Sequence, residues 1–167
     1  MLVALTVAIM FVAGIFPYLT YALPAIAGFL ITIAVIELGS KWAWMVYGAV
    51  SLICLFLIPA KQTAMIYVFF FGYYPIAKKW LESKLPHLGE WFLKFLIFNI
   101  SMVSAFAISI YIFGIPLDET GDFRKYAAYV LLGLGNAVFV LYDIALTKLI
   151  QVYLLLWQPR IHKLFKY

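Results

Sequence analysis

Cysteine, histidine and charge are all scarce in this chain, and each scarcity removes a class of function. One Cys, Cys54, rules out an intramolecular disulfide and a thiolate metal cluster, and the two His, His87 and His162, stand far apart in basic segments. Charged residues are only 11% of 167, against 67% hydrophobic. That much apolar surface exceeds what a soluble domain of this size can hide, so lipid is the expected solvent. No Gly-rich phosphate loop, no His-Glu-x-x-His and no Gly-x-Ser-x-Gly occurs, which argues against an ATPase, a zinc protease or a serine hydrolase. No metal site and no cofactor is expected, and the chain reads as a non-enzyme. Internal repeats, Ser/Gly linkers and low-complexity tracts are also lacking, so residues 1–167 read as a single transmembrane domain.

What is present is a series of apolar stretches near membrane-spanning length, each closed by Pro, Gly, Asn or charge. A helix needs about 20 residues to cross about 30 Å of hydrocarbon, and its backbone must be helical because lipid offers no hydrogen-bond partners. Six such segments are read: Leu2 to Phe16, Leu19 to Leu38, Trp42 to Ile58, Gln62 to Ile76, Trp91 to Phe113, and Tyr126 to Leu149 or beyond. The expected fold is therefore an all-α polytopic transmembrane bundle of six helices. The first segment is short for a full crossing. A cleaved signal peptide is its competing reading, against which stand the missing basic lead and the missing small-x-small cleavage site.

Orientation follows from Lys and Arg, which concentrate on the cytoplasmic side. With both termini cytoplasmic, the inner face collects Lys41, Lys78, Lys79, Lys84, Arg160, Lys163 and Lys166. The outer face holds Lys61, Arg124 and Lys125, offset by Asp118, Glu119 and Asp122. Trp42, Trp44, Trp80, Trp91 and Trp157 fall at the inner helix ends as an interfacial belt. The net charge of +5 is divided among helix ends and the tail instead of forming a stripe, so the expected partner is a bilayer with anionic lipids and not nucleic acid. The location expected is the cell membrane, multi-pass, of a bacterium.

Polar residues at membrane depth are the informative ones, because they are costly there and face partners or a cavity. Glu37 and Asp143 approach the inner boundary, within reach of Lys94, Lys148 or Lys41; ion pairs that fix helix register compete with a proton-relay role. Glu90 and Lys94 form an i, i+4 helix pair. Asn99 and Asn136 both reach about mid-depth and could bond to each other, with Gly133 and Gly135 permitting close approach. Ser101, Ser104 and Ser109 are expected to bond back to carbonyls. Candidate ligand contacts are Tyr18, Tyr21, Lys61, Gln62, Asn99 and Asn136. Gly72 and Pro75 suggest a kink or an early helix end.

Six short spans, no nucleotide motif and the pattern Ala4-x-x-x-Ala8 on the first helix resemble the substrate-binding S components of energy-coupling factor transporters. The resemblance implies that Ala4 and Ala8 dock a partner transmembrane subunit, that an ATPase pair supplies energy, and that a micronutrient binds in a pocket open to the outside. Segments Val35 to Gly39, Phe71 to Pro75 and Tyr142 to Leu146 are similar to uncharacterised small bacterial membrane proteins, which implies no function. The leading expectation is a small-molecule-capturing subunit of an uptake transporter. A non-catalytic assembly or scaffold protein is the alternative, and an intramembrane enzyme using Asp143 or Glu37 a third.

Overall fold

The computed structural model describes residues 1–111 and 123–157, apart from the side chains of residues 17, 106, 109–111, 123–132 and 157. The expected roles of Ser109, Asp118, Glu119, Asp122, Arg124, Lys125, Trp157, Arg160, His162, Lys163 and Lys166 lie outside the described residues. Seven helices make up the described chain: α1 (Leu2–Ile15), α2 (Ala22–Glu37), α3 (Ser40–Leu57), α4 (Lys61–Ile66), α5 (Tyr74–Lys84), α6 (His87–Tyr111) and α7 (Phe123–Val152). The described residues form helices and no strands, as the apolar segments predict.

Three helical stretches are long and apolar enough to cross a membrane, Ser40–Leu57, His87–Ala105 and Gly133–Leu156, the last running from α7 into a π-helical turn, Tyr153–Trp157. They keep most of their apolar surface outside the bundle: Phe56 is 86% exposed, and Phe92, Leu141 and Leu155 are exposed likewise. Large hydrophobic patches of this kind need a non-aqueous neighbour. Helices α1 and α2 are equally apolar but shorter. Trp42, Trp44 and Trp80 stand exposed at the end of the bundle where α2 finishes and α3 begins.

Local chemistry sets the helix ends. Pro17 follows α1 and Pro86 follows α5, each unable to continue the amide ladder. The tight α2–α3 turn passes through Gly39 at φ +87°, in the left-handed region that favours glycine.

The centre of the bundle is the run from α4 through a π-helical turn, Tyr67–Phe71, into α5. It does not end near Ile76 or leave at Lys78-Lys79, as the sequence suggests. The helix runs on to Lys84, and its interior is buried on all sides, with Thr63 to Tyr67 consecutively enclosed. The interruption foreseen at Gly72 and Pro75 is real. The Gly72 N–H donates to the Tyr67 carbonyl at 2.8 Å, and the Val68 carbonyl accepts the Tyr47 hydroxyl at 2.8 Å. Pro75, lacking an N–H, cannot serve the Phe71 carbonyl one turn back. Around this helix Phe70 meets Phe98 at 5.1 Å and Phe139 at 5.8 Å between ring centroids, and Phe98 stacks on Phe139 at 4.8 Å. These rings join α6 and α7 to the centre, each pair adding about 0.5–1.5 kcal/mol beyond burial.

Gly28 brings α2 against the same segment. A Cβ there would lie 2.6 Å from both the Phe71 carbonyl oxygen and the Tyr142 hydroxyl. Gly28→Ala is therefore expected to destabilise the protein by about 1–3 kcal/mol, read as a lowered Tm in detergent. An unchanged Tm would show that α2 does not need this approach.

Candidate functional site

Charge in the interior converges on one carboxylate. Tyr74, Lys78 and Glu82 recur every fourth residue and so line one face of α5. Lys94 reaches in from α6 and Asp143 from α7. Asp143 Oδ1 accepts from the Lys78 ammonium at 2.6 Å and the Tyr74 hydroxyl at 2.6 Å, while Oδ2 accepts from Lys94 at 3.0 Å. Glu82 Oε1 contacts Lys78 at 2.5 Å and Lys94 at 2.8 Å, and Glu90 Oε1 contacts Lys94 at 2.6 Å. The Lys94 ammonium also lies 5.3 Å from the centroid of the Trp91 ring.

Burial makes these contacts consequential. Lys78, Lys94 and Asp143 are 2%, 1% and 3% exposed, depths at which an unpaired charge is not tolerated and a paired one must be well surrounded. The Glu82 side chain, 38% exposed, carries the network to the surface. Its Oε2 makes no bond among the described residues.

The surface it reaches is a cleft of about 340 Å³ between α2, α5 and α7, whose walls include Thr32, Val35, Ile36, Lys79, Glu82 and Ile150. Among the described residues Lys79 makes one long bond, to the Val35 carbonyl at 3.4 Å. A second cleft of about 370 Å³ lies on the other side of α5, lined by Ser40, Trp44, Ile76, Ala77 and Trp80.

The expected ion pair of Asp143 with Lys94 is present, and so is the Glu90–Lys94 pair. Lys41 and Lys148 take no part. Lys78, read from the sequence as a residue of the inner face, is buried in the core, and the sequence reading, which takes Tyr74 as part of a packing aromatic run, gives neither it nor Glu82 a part in a charged network. The spacing Tyr74-x-x-x-Lys78-x-x-x-Glu82 was the available signal, obscured by the seeming helix end at Pro75. Glu37 accepts from the Tyr153 hydroxyl at 3.0 Å.

Asn99 and Asn136 do meet. Each donates its side-chain amide to the other's carbonyl oxygen, at 3.0 and 3.1 Å, and Asn99 also bonds back to the Phe95 carbonyl. Gly135 sits against the Phe98 ring, whereas a Cβ on Gly133 would meet nothing within 4 Å. Ser101 bonds back to the Ile97 carbonyl at 2.6 Å and also joins the Tyr73 hydroxyl.

Tyr18, Tyr21, Lys61 and Gln62 lie towards the opposite end of the bundle from the charged network, where Gly14 of α1 packs near Ile58 and Ala60. Tyr18 is 96% exposed, Tyr21 is exposed, and Gln62 is half-buried. Lys61 donates to the Leu55 carbonyl at 2.8 Å, satisfying the last turn of α3. Neither cleft is lined by Tyr18, Tyr21, Lys61, Gln62, Asn99 or Asn136. Ala4 and Ala8 lie exposed on the outer face of α1, whose inner face buries Thr6, Met10 and Ala13. Among the described residues no group of three or more His, Cys, Asp or Glu could hold a metal ion.

Comparison with family models, curated proteins and solved structures gives no match for this chain.

Removing the central carboxylate would leave Lys78 and Lys94 buried without their shared partner. Asp143→Ala is expected to cost about 3–5 kcal/mol, measured by thermal or denaturant unfolding in detergent. Lys148→Ala, outside the network, serves as the control and should change little. Equal stability of the two variants would remove Asp143 from the role given to it here.

Proposed function

We propose that this chain is a multi-pass membrane protein that captures a small solute and depends on partner subunits for energy. In this reading it crosses the membrane six times with both ends cytoplasmic, the fourth crossing being the continuous α4–α5 segment. The observation that carries the reading is the opening of a buried charge network, through Glu82, into the cleft between α2, α5 and α7. Charged groups at such depth face a partner or a cavity, and here the buried Lys78 lines the cleft together with Glu82. The exposed Ala4 and Ala8 face supports docking of a transmembrane partner, since small residues let helices approach closely. The cleft opens at the end bearing Lys41, Lys79 and Lys84, cytoplasmic in this reading, so the solute is held on the inner side and not in the outward pocket that the resemblance implies, and anionic lipid would surround Lys41 and Lys84.

A second reading, a non-catalytic assembly or scaffold protein, is favoured by a different observation. Lys78, Lys94 and Asp143 are satisfied by one another and by their neighbours, as purely structural charges would be.

Native mass spectrometry of the protein gently extracted from its own membrane separates the two. Capture predicts a retained small-molecule mass, and partner subunits that are lost when Ala4 and Ala8 are both replaced by Leu. Protein partners without any small molecule, indifferent to those replacements, would overturn capture in favour of the scaffold.

A further inference from the structure

We infer that the cleft between α2, α5 and α7 is a site for a zwitterion: a ligand carrying an ammonium and a carboxylate or phosphate on an apolar body. The inference rests on the capture reading for its biological role, but its chemistry is argued from the cleft alone.

Opposite charges share one wall. Lys79 and Glu82 stand at i and i+3 on α5, so their Cβ atoms are about 5–6 Å apart, comparable with the separation of charges in a small zwitterion. Both side chains are exposed, and neither has used up its bonding capacity. Among the described residues the Lys79 ammonium makes only the 3.4 Å bond to the Val35 carbonyl, which is near the limit of a hydrogen bond, and so retains donors for an anion. Glu82 engages Lys78 and Lys94 through Oε1 and leaves Oε2 for an ammonium. The Val35 carbonyl belongs to the last turn of α2, so the negative end of that helix holds the Lys79 ammonium at the cleft wall. Ser83, beside Glu82 on the cleft wall, places its hydroxyl on the Trp80 carbonyl.

Across from the charges the walls are hydrocarbon. Val35, Ile36 and Ile150 face the same volume, and about 340 Å³ suits a small ligand body. A ligand bearing only an ammonium would leave Lys79 without an anion, and one bearing only an anion would leave Glu82, already paired with Lys78 and Lys94 through Oε1, with no donor at Oε2. A ligand with both charges answers both.

Two sources supply this chemistry, a soluble amphiphilic zwitterion and the headgroup of an aminophospholipid. The probes are leucine, with N-acetylleucine and leucinamide each removing one charge, and nanodiscs of phosphatidylethanolamine against phosphatidylglycerol. Binding is read by titration for the solutes and by native mass spectrometry for the lipids. Lys79→Ala is the diagnostic variant, because Lys79 lies outside the buried ion network and its loss should leave Tm unchanged. Glu82→Gln, which alters partners of Lys78 and Lys94, is compared only where its Tm matches wild type.

Leucine binding about tenfold or more tighter than either derivative, and weakened to a similar extent in Lys79→Ala, supports the zwitterion site and capture together. Selective retention of phosphatidylethanolamine, lost in Lys79→Ala without any leucine binding, supports the site and overturns capture of a soluble solute. A co-purifying singly charged metabolite whose retention ignores Lys79→Ala overturns the zwitterion and leaves capture standing. Equal affinity for all three solutes, or none for any with equal retention of both lipids, overturns the site.

Discussion

The Asp143 carboxylate holds the bundle's charged interior together. Two helices send polar groups to its two oxygens, α5 through Tyr74 and Lys78 and α6 through Lys94, and a third, α7, carries the acid itself. Because a buried carboxylate requires partners at hydrogen-bond distance and fixed angles, it limits how far these helices can slide or rotate against each other. The ring stack of Phe70, Phe98 and Phe139 joins the same helices by non-directional packing, which tolerates small shifts more readily. Position along the helix axis therefore depends more on the acid, and cohesion more on the rings.

The interruption in the central helix is what lets both systems occupy one segment. A regular helix through Tyr67 to Lys84 would keep residues 70, 74, 78 and 82 in register with residues 63 and 67. The π turn inserts an extra residue before Gly72, and rotates the α5 face relative to α4. The carbonyl thereby left over at Val68 is met by Tyr47 from α3, so the irregularity is satisfied from a neighbouring helix. Gly72 admits this arrangement because a Cβ there would lie 2.7 Å from the Tyr47 ring. Irregular backbone in an apolar setting persists only with such compensation.

Helix identity was legible because it rests on long-range composition: apolar runs closed by Pro17, Gly39 and Pro59. The Asn99–Asn136 pair was legible for a related reason, since two amides at equal depth in apolar helices have few other partners. Lys78 was misplaced because a lysine next to Lys79, three residues after a proline, has the composition of a helix end. Only three-dimensional packing distinguishes the neighbours: a step of about 100° around the helix puts Lys78 on the core face and Lys79 on the cleft side. The clefts were not legible at all, because a cavity is a property of how helices α2, α5 and α7 diverge, and no local pattern encodes divergence.

Stability alone does not explain the charged core. Hydrophobic residues of similar volume at the positions of a buried ion pair are often neutral or stabilising, and a chain with 67% hydrophobic residues had such side chains in abundance. What an apolar core would forfeit is direction. Lys78 and Glu82 extend an ordered line of alternating charge from Asp143 to the cleft wall, and the same line orients Glu82 so that one oxygen faces inward and the other is left unengaged. A carboxylate on a flexible, solvated side chain would adopt many rotamers and lose entropy on meeting a ligand. Held at Oε1 by two lysines, Glu82 has already been ordered by the fold, so the network that restricts helix register also pre-organises the polar wall of the cleft.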